Sequence, residues 1–363
     1  MNISIATNFD NKLIDLVKQY GVTNLFGKLK NDFIGGGLER EHLDDIDRLK
    51  VENHVKYAHK NNMTVNYTLN SPCLGNDEFT YEGKQHIKEL LDWLTEIKID
   101  SVTVSIPALL RYIKKEYPNL EVKISSSVCV DSVAKAKRWV EFGADCIVLD
   151  PMVVNRNFKI LKAIRDAVDI ELELIVNNNC MYECPLLTYH QSYMGHSSRE
   201  TDNKEIKYDF CYLNCSKKRV ENPVNYLISD IIRPEDIGIY EALGYNQIKI
   251  IDRGTPIELM VIRAKAYFER RYDGNLLDLI QHFGYRDVSF PDEYLKNIYI
   301  DNKKLDNFMK KFEKGYCYLI GCGETCRHCH DYASEAINID KSFQLKHLEA
   351  VNQALLEIEN LAL

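Results

Sequence analysis

The sequence predicts an α/β chain folded as a (β/α)8 barrel, with a cysteine-bearing insertion after the seventh strand and a C-terminal extension. Three observations predict it. Eight short apolar runs, most of them rich in Val and Ile, alternate with helical patterns through residues 1–272, as strands buried on both faces do. The alternation spans about 250 residues, the usual length of such a barrel. No GxGxxG or phosphate-cradling GxxxxGK[ST] loop follows any run, which counts against the rival doubly wound open sheet.

The predicted strands are Ile3–Thr7, Thr23–Phe26, Thr64–Leu69, Ser101–Val104, Val122–Ser125, Cys146–Leu149, Glu171–Val176 and Gln247–Ile251. Between them, His86–Lys98 carries Ile87, Leu90, Leu91 and Leu94 at i, i+3, i+4 and i+7 spacing, the stripe of a helix lying on a sheet. Asp131–Phe142 and Asn157–Val168 also read as helices, the first stopped by Gly143 as a C-cap. After Val176 the pattern gives way to a polar, Cys- and His-bearing insertion at residues 178–225, and Leu227–Ile231 reads as an accessory strand. Beyond Tyr272 the alternation stops. Residues 273–363 therefore read as an extension, ending in an amphipathic helix near Leu345–Leu361.

Composition narrows the function. With 46 basic and 54 acidic residues among 363, the net charge is -8, which lacks the basic excess of a protein that grips nucleic acid by phosphate contacts alone. Mean hydropathy is -0.32, and no apolar run approaches the ~18 residues of a membrane span. The opening MNISIATNFDNKL lacks the basic end and apolar stretch of a secretory signal, so a cytoplasmic location is expected.

Barrel chemistry sits at the carboxyl ends of the strands. Those ends carry Thr7 and Asn8, Asn70, Ser105, Ser125 to Ser127, Asp150, Asn177 to Asn179, and Asp252 with Arg253. Side chains with hydrogen-bonding heads at one face predict a polar pocket, for which Asn70, Asn177, Asp252 and Arg253 are the candidate substrate-facing residues. Arg253 is the best anion-binding candidate, because a guanidinium fork suits carboxylate or phosphate. No HExxH or GxSxG pattern supplies a hydrolytic centre.

Eleven cysteines in a chain without a secretion signal need another account. Cys146 lies inside an apolar strand and reads as a small buried hydrophobe, while Cys73 and Cys129 follow strands. The other eight form two groups: Cys180-x3-Cys184 with Cys211-x3-Cys215, and Cys317-x4-Cys322-x3-Cys326-x2-Cys329. In a reducing compartment such arrays point to metal or cluster ligation. Zinc and iron–sulfur clusters both take four thiolates. The first group lacks the paired CxxC knuckles of structural zinc and lies at the catalytic end of the barrel, which favours a [4Fe–4S] cluster, with zinc as the alternative. For the second group a further cluster, zinc and free thiols all stay open. Its last three cysteines share the spacing of a radical-SAM loop, but that loop normally follows the first strand and has an aromatic where His328 stands. His190 and His196 lie in the same insertion as the first group, where a histidine can replace a ligand or move protons.

The run EVKISSSVCVDSVAKAKRWVEFGADCIVLDP, then ELELIVNNNCMYECP and DIIRPEDIGIYEALGYNQIKIIDR, resembles peptidase family U-32, the collagenase-like peptidases. The resemblance covers roughly residues 1–270, and the C-terminal CGETCRHC is similar to a cysteine-rich tail of some relatives. It implies a barrel with an oxygen-labile [4Fe–4S] cluster on four cysteines. It also implies relatives of two kinds: peptidases by label, and proteins of oxygen-independent hydroxylation acting on a ubiquinone precursor or RNA bases. Some of the latter work as dimers of two cluster-bearing members. Cys180, Cys184, Cys211 and Cys215 fall where the family's cluster ligands lie, although relatives space them differently. Lys249 and Arg253 match the family's KIxxR strand end, with Ile251 and Asp252 replacing its usual Glu-Gly.

The expected function is a cluster-dependent redox enzyme or subunit that hydroxylates or modifies a small molecule or nucleobase and draws electrons from a redox donor. A hydrolase, as the family label implies, and a non-catalytic iron–sulfur partner subunit or redox sensor are the alternatives; a hetero- or homodimer with a related iron–sulfur protein suits either cluster-bearing reading. The basic run at Lys217, Lys218 and Arg219 suits an RNA substrate or, more simply, neutralises the cluster's charge.

Overall fold

Eight strands pair in chain order and the eighth returns to the first, closing an all-parallel barrel. They are β1 (Asn2–Ala6), β2 (Val22–Gly27), β3 (Thr64–Leu69), β4 (Ser101–Val104), β5 (Glu121–Ile124), β6 (Cys146–Val148), β7 (Glu171–Ile175) and β8 (Gln247–Ile250). All eight predicted strands are present, with no end shifted by more than one residue. The architecture comes from a computed structural model that describes residues 1–40, 43–199, 209–281, 296–315 and 325–361.

The helices around the barrel begin and end on local signals. α1 (Asn11–Val17) is capped by Asp10, whose side chain accepts from the Lys12 amide, and α2 (Arg48–Lys60) by Asp47, which accepts from Lys50. In α3 (Tyr81–Glu96) Thr80 caps Gly83, and the predicted stripe of Ile87, Leu90, Leu91 and Leu94 is buried. α4 (Pro107–Glu116) starts on a proline at its first position. α5 (Val133–Phe142) ends at Gly143, at φ +103°, a backbone region that glycine enters without steric cost. α6 (Phe158–Ala167) is capped by Asn157 and buries Leu161 and Ile164.

The inside of the barrel is more polar than its Val- and Ile-rich strands suggested. Ser4 of β1 donates to Glu173 of β7 at 2.5 Å, and Thr103 of β4 donates to Asn66 of β3 at 2.7 Å. Glu173 also faces Lys123 of β5 at 3.8 Å and Lys249 of β8 at 3.7 Å. Ser4–Glu173 and Lys123–Glu173 join strands that are not neighbours, so they cross the lumen. Burial alone would raise the Glu173 carboxyl; the two ammonium groups and Ser4 outweigh it and hold it below its ordinary value.

The insertion between β7 and β8 contains α7 (Leu187–Ser197), α8 (Phe210–Glu221) and α9 (Asn225–Ile228), and α10 (Ile237–Ala242) then leads into β8. The accessory strand expected at Leu227–Ile231 does not form. Its first residues belong to α9, where the Leu227 and Ile228 amides donate to the Val224 carbonyl, both at 2.9 Å. Arg156 donates to the Leu227 carbonyl at 2.5 Å. A short apolar run buried under an arginine cannot be told from a strand by its period alone.

After α11 (Ile257–Glu269), the C-terminal residues pack back on the barrel. β9 (Ile298–Ile300) and β10 (Ile337–Ile339) pair antiparallel. Asn302 accepts from Arg233 at 2.9 Å and donates to the Tyr272 carbonyl at 2.8 Å. The C-terminal helix, Lys341–Leu361, runs along α8, where His347 meets Ser216 at 2.8 Å and Gln344 donates to the Val220 carbonyl at 2.6 Å. Among the described residues, no helix is long and apolar enough to cross a membrane.

His54 of α2 is fully buried, with its ring between Thr7 Oγ1 at 3.1 Å and Asn11 Oδ1 at 2.9 Å. Burial pushes its pKa down to about 4. Because the unfolded value is about 6.5, protonation favours the unfolded chain. The stabilisation is present above pH 6.5 and is lost as pH falls towards 4, where the deficit reaches about 3 kcal/mol. Urea titrations between pH 7 and 4 should show this slope, and His54→Gln should flatten it.

Candidate functional site at the barrel mouth

The carboxyl ends of the strands surround a cavity of about 140 Å³. β3 and the segment after it supply Thr68 and Asn70, the loop after β5 supplies Ser125, Ser126 and Ser127, and the segment after β7 supplies Asn178 and Cys180. β8 and its end add Lys249, Asp252 and Arg253, while His190, Gln191 and Met194 of α7 close one side.

Of the four candidate substrate-facing residues, Asn70, Asp252 and Arg253 line this cavity. Asn70 organises its wall: Oδ1 accepts the Gly37 amide at 3.0 Å and Nδ2 donates to Ser125 Oγ at 3.0 Å. Arg253 donates from Nη1 to Thr68 Oγ1 at 2.9 Å. Burial lowers its pKa to about 10, with Asp32 and Tyr67 opposing, so it stays cationic at neutral pH. Asp252, at φ +103°, lies 3.4 Å from Arg263. Asn177 is fully buried and exchanges two hydrogen bonds with the Ile251 backbone, at 2.9 and 2.8 Å, joining the ends of β7 and β8.

Two further cations stand at this end, each facing a carboxylate, that of Lys249 being shared with Lys123. Lys28 meets Asp32 at 3.1 Å, and Lys249, 4.1 Å from the centre of the Phe26 ring, faces Glu173. Burial lowers the pKa of both ammonium groups.

The segment Gly35–Gly36–Gly37 closes over the mouth, and sequence reasoning missed it because three glycines before a polar stretch look like any loop. Gly35 has φ +76°, and a Cβ there would stand 2.5 Å from Ser198 Oγ. The Gly36 amide donates to the same oxygen at 2.7 Å. Next in the chain, Arg199 is buried; it donates from Nε to the Phe33 carbonyl at 3.2 Å, lies over the Phe33 ring and pairs with Asp77. One arginine thus ties the insertion to the loops after β2 and β3.

The first cysteine group gathers beside this cavity. Cys211 and Cys215 lie one turn apart on α8, whose first turn is capped by Asp209. Burial pushes the Cys180 thiol up to about 12; Arg219 opposes this, and Cys215 and Cys184 add to it. Cys211 is pushed to about 12 by burial and by Asp209, Cys184 and Cys215, and Cys215 is raised by burial against Arg219. Cys184 and Cys215 thus act on both Cys180 and Cys211, although among the described residues no three His, Cys, Asp or Glu side chains close to the spacing of a single ion. Arg219 donates to Cys215 Sγ at 3.4 Å and to the Asn179 carbonyl. Of the basic run, Lys217 and Lys218 face Glu221 at 3.8 and 4.0 Å, and Arg219 is turned to the thiols. His190 pairs with Asp209 at 2.9 Å.

In the second group, Cys326 Sγ accepts from Lys311 at 3.1 Å, and Cys329 is buried in the first turn of the helix His328–Ala336. Cys317 and Cys322 lie outside the described residues. Cys146 is buried in β6; Cys129 is half-buried, 3.7 Å from the Ser127 carbonyl, and Cys73 accepts the Gly75 amide at 3.4 Å.

A closed barrel whose mouth carries a polar cavity, a glycine loop and a cysteine-bearing insertion is the class of protein these features define. Residues 37–269 match peptidase family U32, and the chain belongs to that family. It is 30% identical over 311 residues to the uncharacterized protease MJ1657 of Methanocaldococcus jannaschii, covering 85% of this chain and 87% of that protein. Its fold is similar to the structure of the U32 peptidase Mk0906, at a TM-score of 0.54 and 21% identity, over 70% of this chain and 93% of the other.

The crowding at Gly35 is testable. Gly35→Ala should cost about 2–4 kcal/mol from backbone strain and overpacking, read by urea denaturation. Gly238→Ala, in α10 with nothing within 4 Å of the added Cβ, should instead be neutral or stabilising by about 0.5–1 kcal/mol.

Proposed function

We propose that the chain is an iron–sulfur redox enzyme, in which Cys180, Cys184, Cys211 and Cys215 hold one [4Fe–4S] cluster beside the mouth cavity. The observation that carries this reading is the gathering of these four thiols, two in the segment after β7 and two on α8, with Cys180 itself in the cavity wall. The donor set fits the group. Buried thiols that raise one another's cost of charging, as Cys215 does for Cys180 and Cys211, are a poor arrangement for free cysteines and a suitable one for a cationic iron core. Arg219 Nε and Asn178 Nδ2 are buried next to them without a hydrogen-bond partner, and donors of this kind suit the sulfur of a cluster.

When bound, the cluster would pass single electrons between the substrate and an external redox partner, which for hydroxylation must accept the two electrons that the substrate loses. The protein's part is to hold and screen. Arg219 offsets negative charge at Cys215 and, through the Asn179 carbonyl, fixes the segment that carries Cys180. His190, oriented by Asp209, offers a proton at the cavity wall. Asn70 and the serines after β5 present hydrogen-bonding groups to a small molecule or nucleobase. The chemistry we favour is oxygen-independent hydroxylation or a related modification.

The label of the relatives favours hydrolysis as a second reading. That reading needs an activated nucleophile, and among the described residues none of Ser125, Ser126 and Ser127 has a histidine partner; Ser125 and Ser127 bond to Asn70, Ser105 and each other. The second cysteine group is kept as a separate candidate for a cluster or zinc.

Anaerobic purification of the full chain should give about four iron and four sulfide per site, with an absorbance shoulder bleached by dithionite. The double variant Cys180→Ala/Cys184→Ala should lose one such complement. Bound zinc without sulfide would overturn the proposal, and an unchanged iron count in the variant would overturn the ligand assignment.

A further inference from the structure

The charges at the barrel mouth do not balance within the protein. Lys28 faces Asp32, Lys249 shares Glu173 with Lys123, and the cavity's own carboxylate, Asp252, lies against Arg263. Arg253 is the exception. Among the described residues it has no carboxylate within 4 Å, and its hydrogen bonding is a single contact to the Thr68 hydroxyl. A guanidinium has five N–H donors in a rigid fork. Most of these have no protein acceptor, and Arg253 lines a cavity whose wall also carries hydroxyl, amide and thiol groups with Lys249, Asp252 and His190.

Space and further donors are kept around the fork. Arg253 Nη2 runs beside Gly36, where a Cβ would stand 3.6 Å from it, 3.0 Å from Asn70 Oδ1 and 2.9 Å from Lys28 Cδ. Any side chain at Gly36 would fill this corner. Ser126 also lines the cavity, and its hydroxyl has no protein partner among the described residues, unlike those of Ser125 and Ser127. A cation without a carboxylate and a bare glycine therefore meet at the edge of a cavity of about 140 Å³ that the Ser126 hydroxyl also lines. Cys180 marks another part of its wall.

We propose that the mouth cavity binds a small ligand by its oxyanion, a carboxylate or phosphate group seated on Arg253 and hydrogen-bonded by Ser126. The inference deepens the proposed function by assigning the chemical class of the ligand, and it places the anionic end of that ligand at a corner of its own beside Gly36. It does not depend on whether the chemistry beyond the anchor is redox or hydrolytic.

The test uses the full chain, purified anaerobically, with succinate, inorganic phosphate and the neutral diamide succinamide as calorimetric probes. Succinate or phosphate should bind one per chain and raise the Tm, and a tenfold or greater preference for one of them identifies the class of oxyanion. Succinamide should not bind. Arg253→Gln should weaken oxyanion binding about 10- to 100-fold, the loss expected for a charge-assisted pair. Should that variant fail to fold by circular dichroism, Arg253→Lys, which keeps the charge and loses the fork, should still bind at least tenfold more weakly. No binding of either anion, equal binding of succinamide, or binding unchanged in the variants would overturn the proposal. Iron content of the same samples separates the two claims: iron retained with anion binding absent overturns the anion site alone, and anion binding without iron overturns the cluster alone.

Discussion

Every strand of a closed parallel barrel must be followed by a crossover, so every loop after a strand opens at the same end. That constraint brings together residues far apart in the chain: Thr68 and Asn70 after β3, the serines after β5, Cys180 after β7 and Arg253 after β8. The contact between Arg253 and Thr68, at 2.9 Å, spans more than half the chain length without any special long-range device. The lumen beneath supplies the floor. Glu173, held charged by Lys123 and Lys249, anchors Lys249 from below, while the other end of that side chain's surroundings is the cavity wall itself. Removing one partner from such a buried group costs several kcal/mol, which makes the floor rigid rather than adaptable.

On this scaffold the insertion after β7 acts as a second layer, and arginines hold it. Arg199 fastens the end of α7 to the Phe33 carbonyl and to Asp77. Arg219 links Cys215 on α8 to the Asn179 carbonyl, so the two halves of the thiol group are joined through one guanidinium. The C-terminal helix then backs α8 through His347 and Gln344. The extension is therefore tied to the element that carries Cys211 and Cys215, although it lies far from the cavity in sequence.

Much of this was legible in the sequence for physical reasons. Runs such as Ser101–Val104 and Gln247–Ile250 are too short and too β-branched to be helices, and they recur at barrel spacing. Two pairs of cysteines at matching x3 spacing are rare enough to stand out. Arg253 was legible from its chemistry at a strand end. Other features carried no such signal. Ser4 and Asn24, which hydrogen-bond to each other at 3.3 Å, sit among apolar strand residues, and nothing in one strand says that its polar side faces a lumen shared with other strands. Asn177 and Asn178 are indistinguishable as letters, yet Asn177 serves Ile251 and Asn178 lines the cavity. The glycines at 35–37 acquire meaning only once Ser198, Asn70 and Arg253 are placed beside them. The turn at Asn225–Ile228 was hidden because a buried apolar run has no period of its own.

The central claim is that four thiolates of the insertion hold one [4Fe–4S] cluster beside the cavity. Mössbauer spectroscopy of the full chain, produced anaerobically with ⁵⁷Fe, tests it most directly. The account predicts that iron on the Cys180, Cys184, Cys211 and Cys215 site shows the signature of a four-iron, sulfur-coordinated cluster, and that this component disappears in Cys211→Ser/Cys215→Ser while the chain stays folded. A spectrum of isolated mononuclear iron, or a cluster component that survives in that variant, would contradict it.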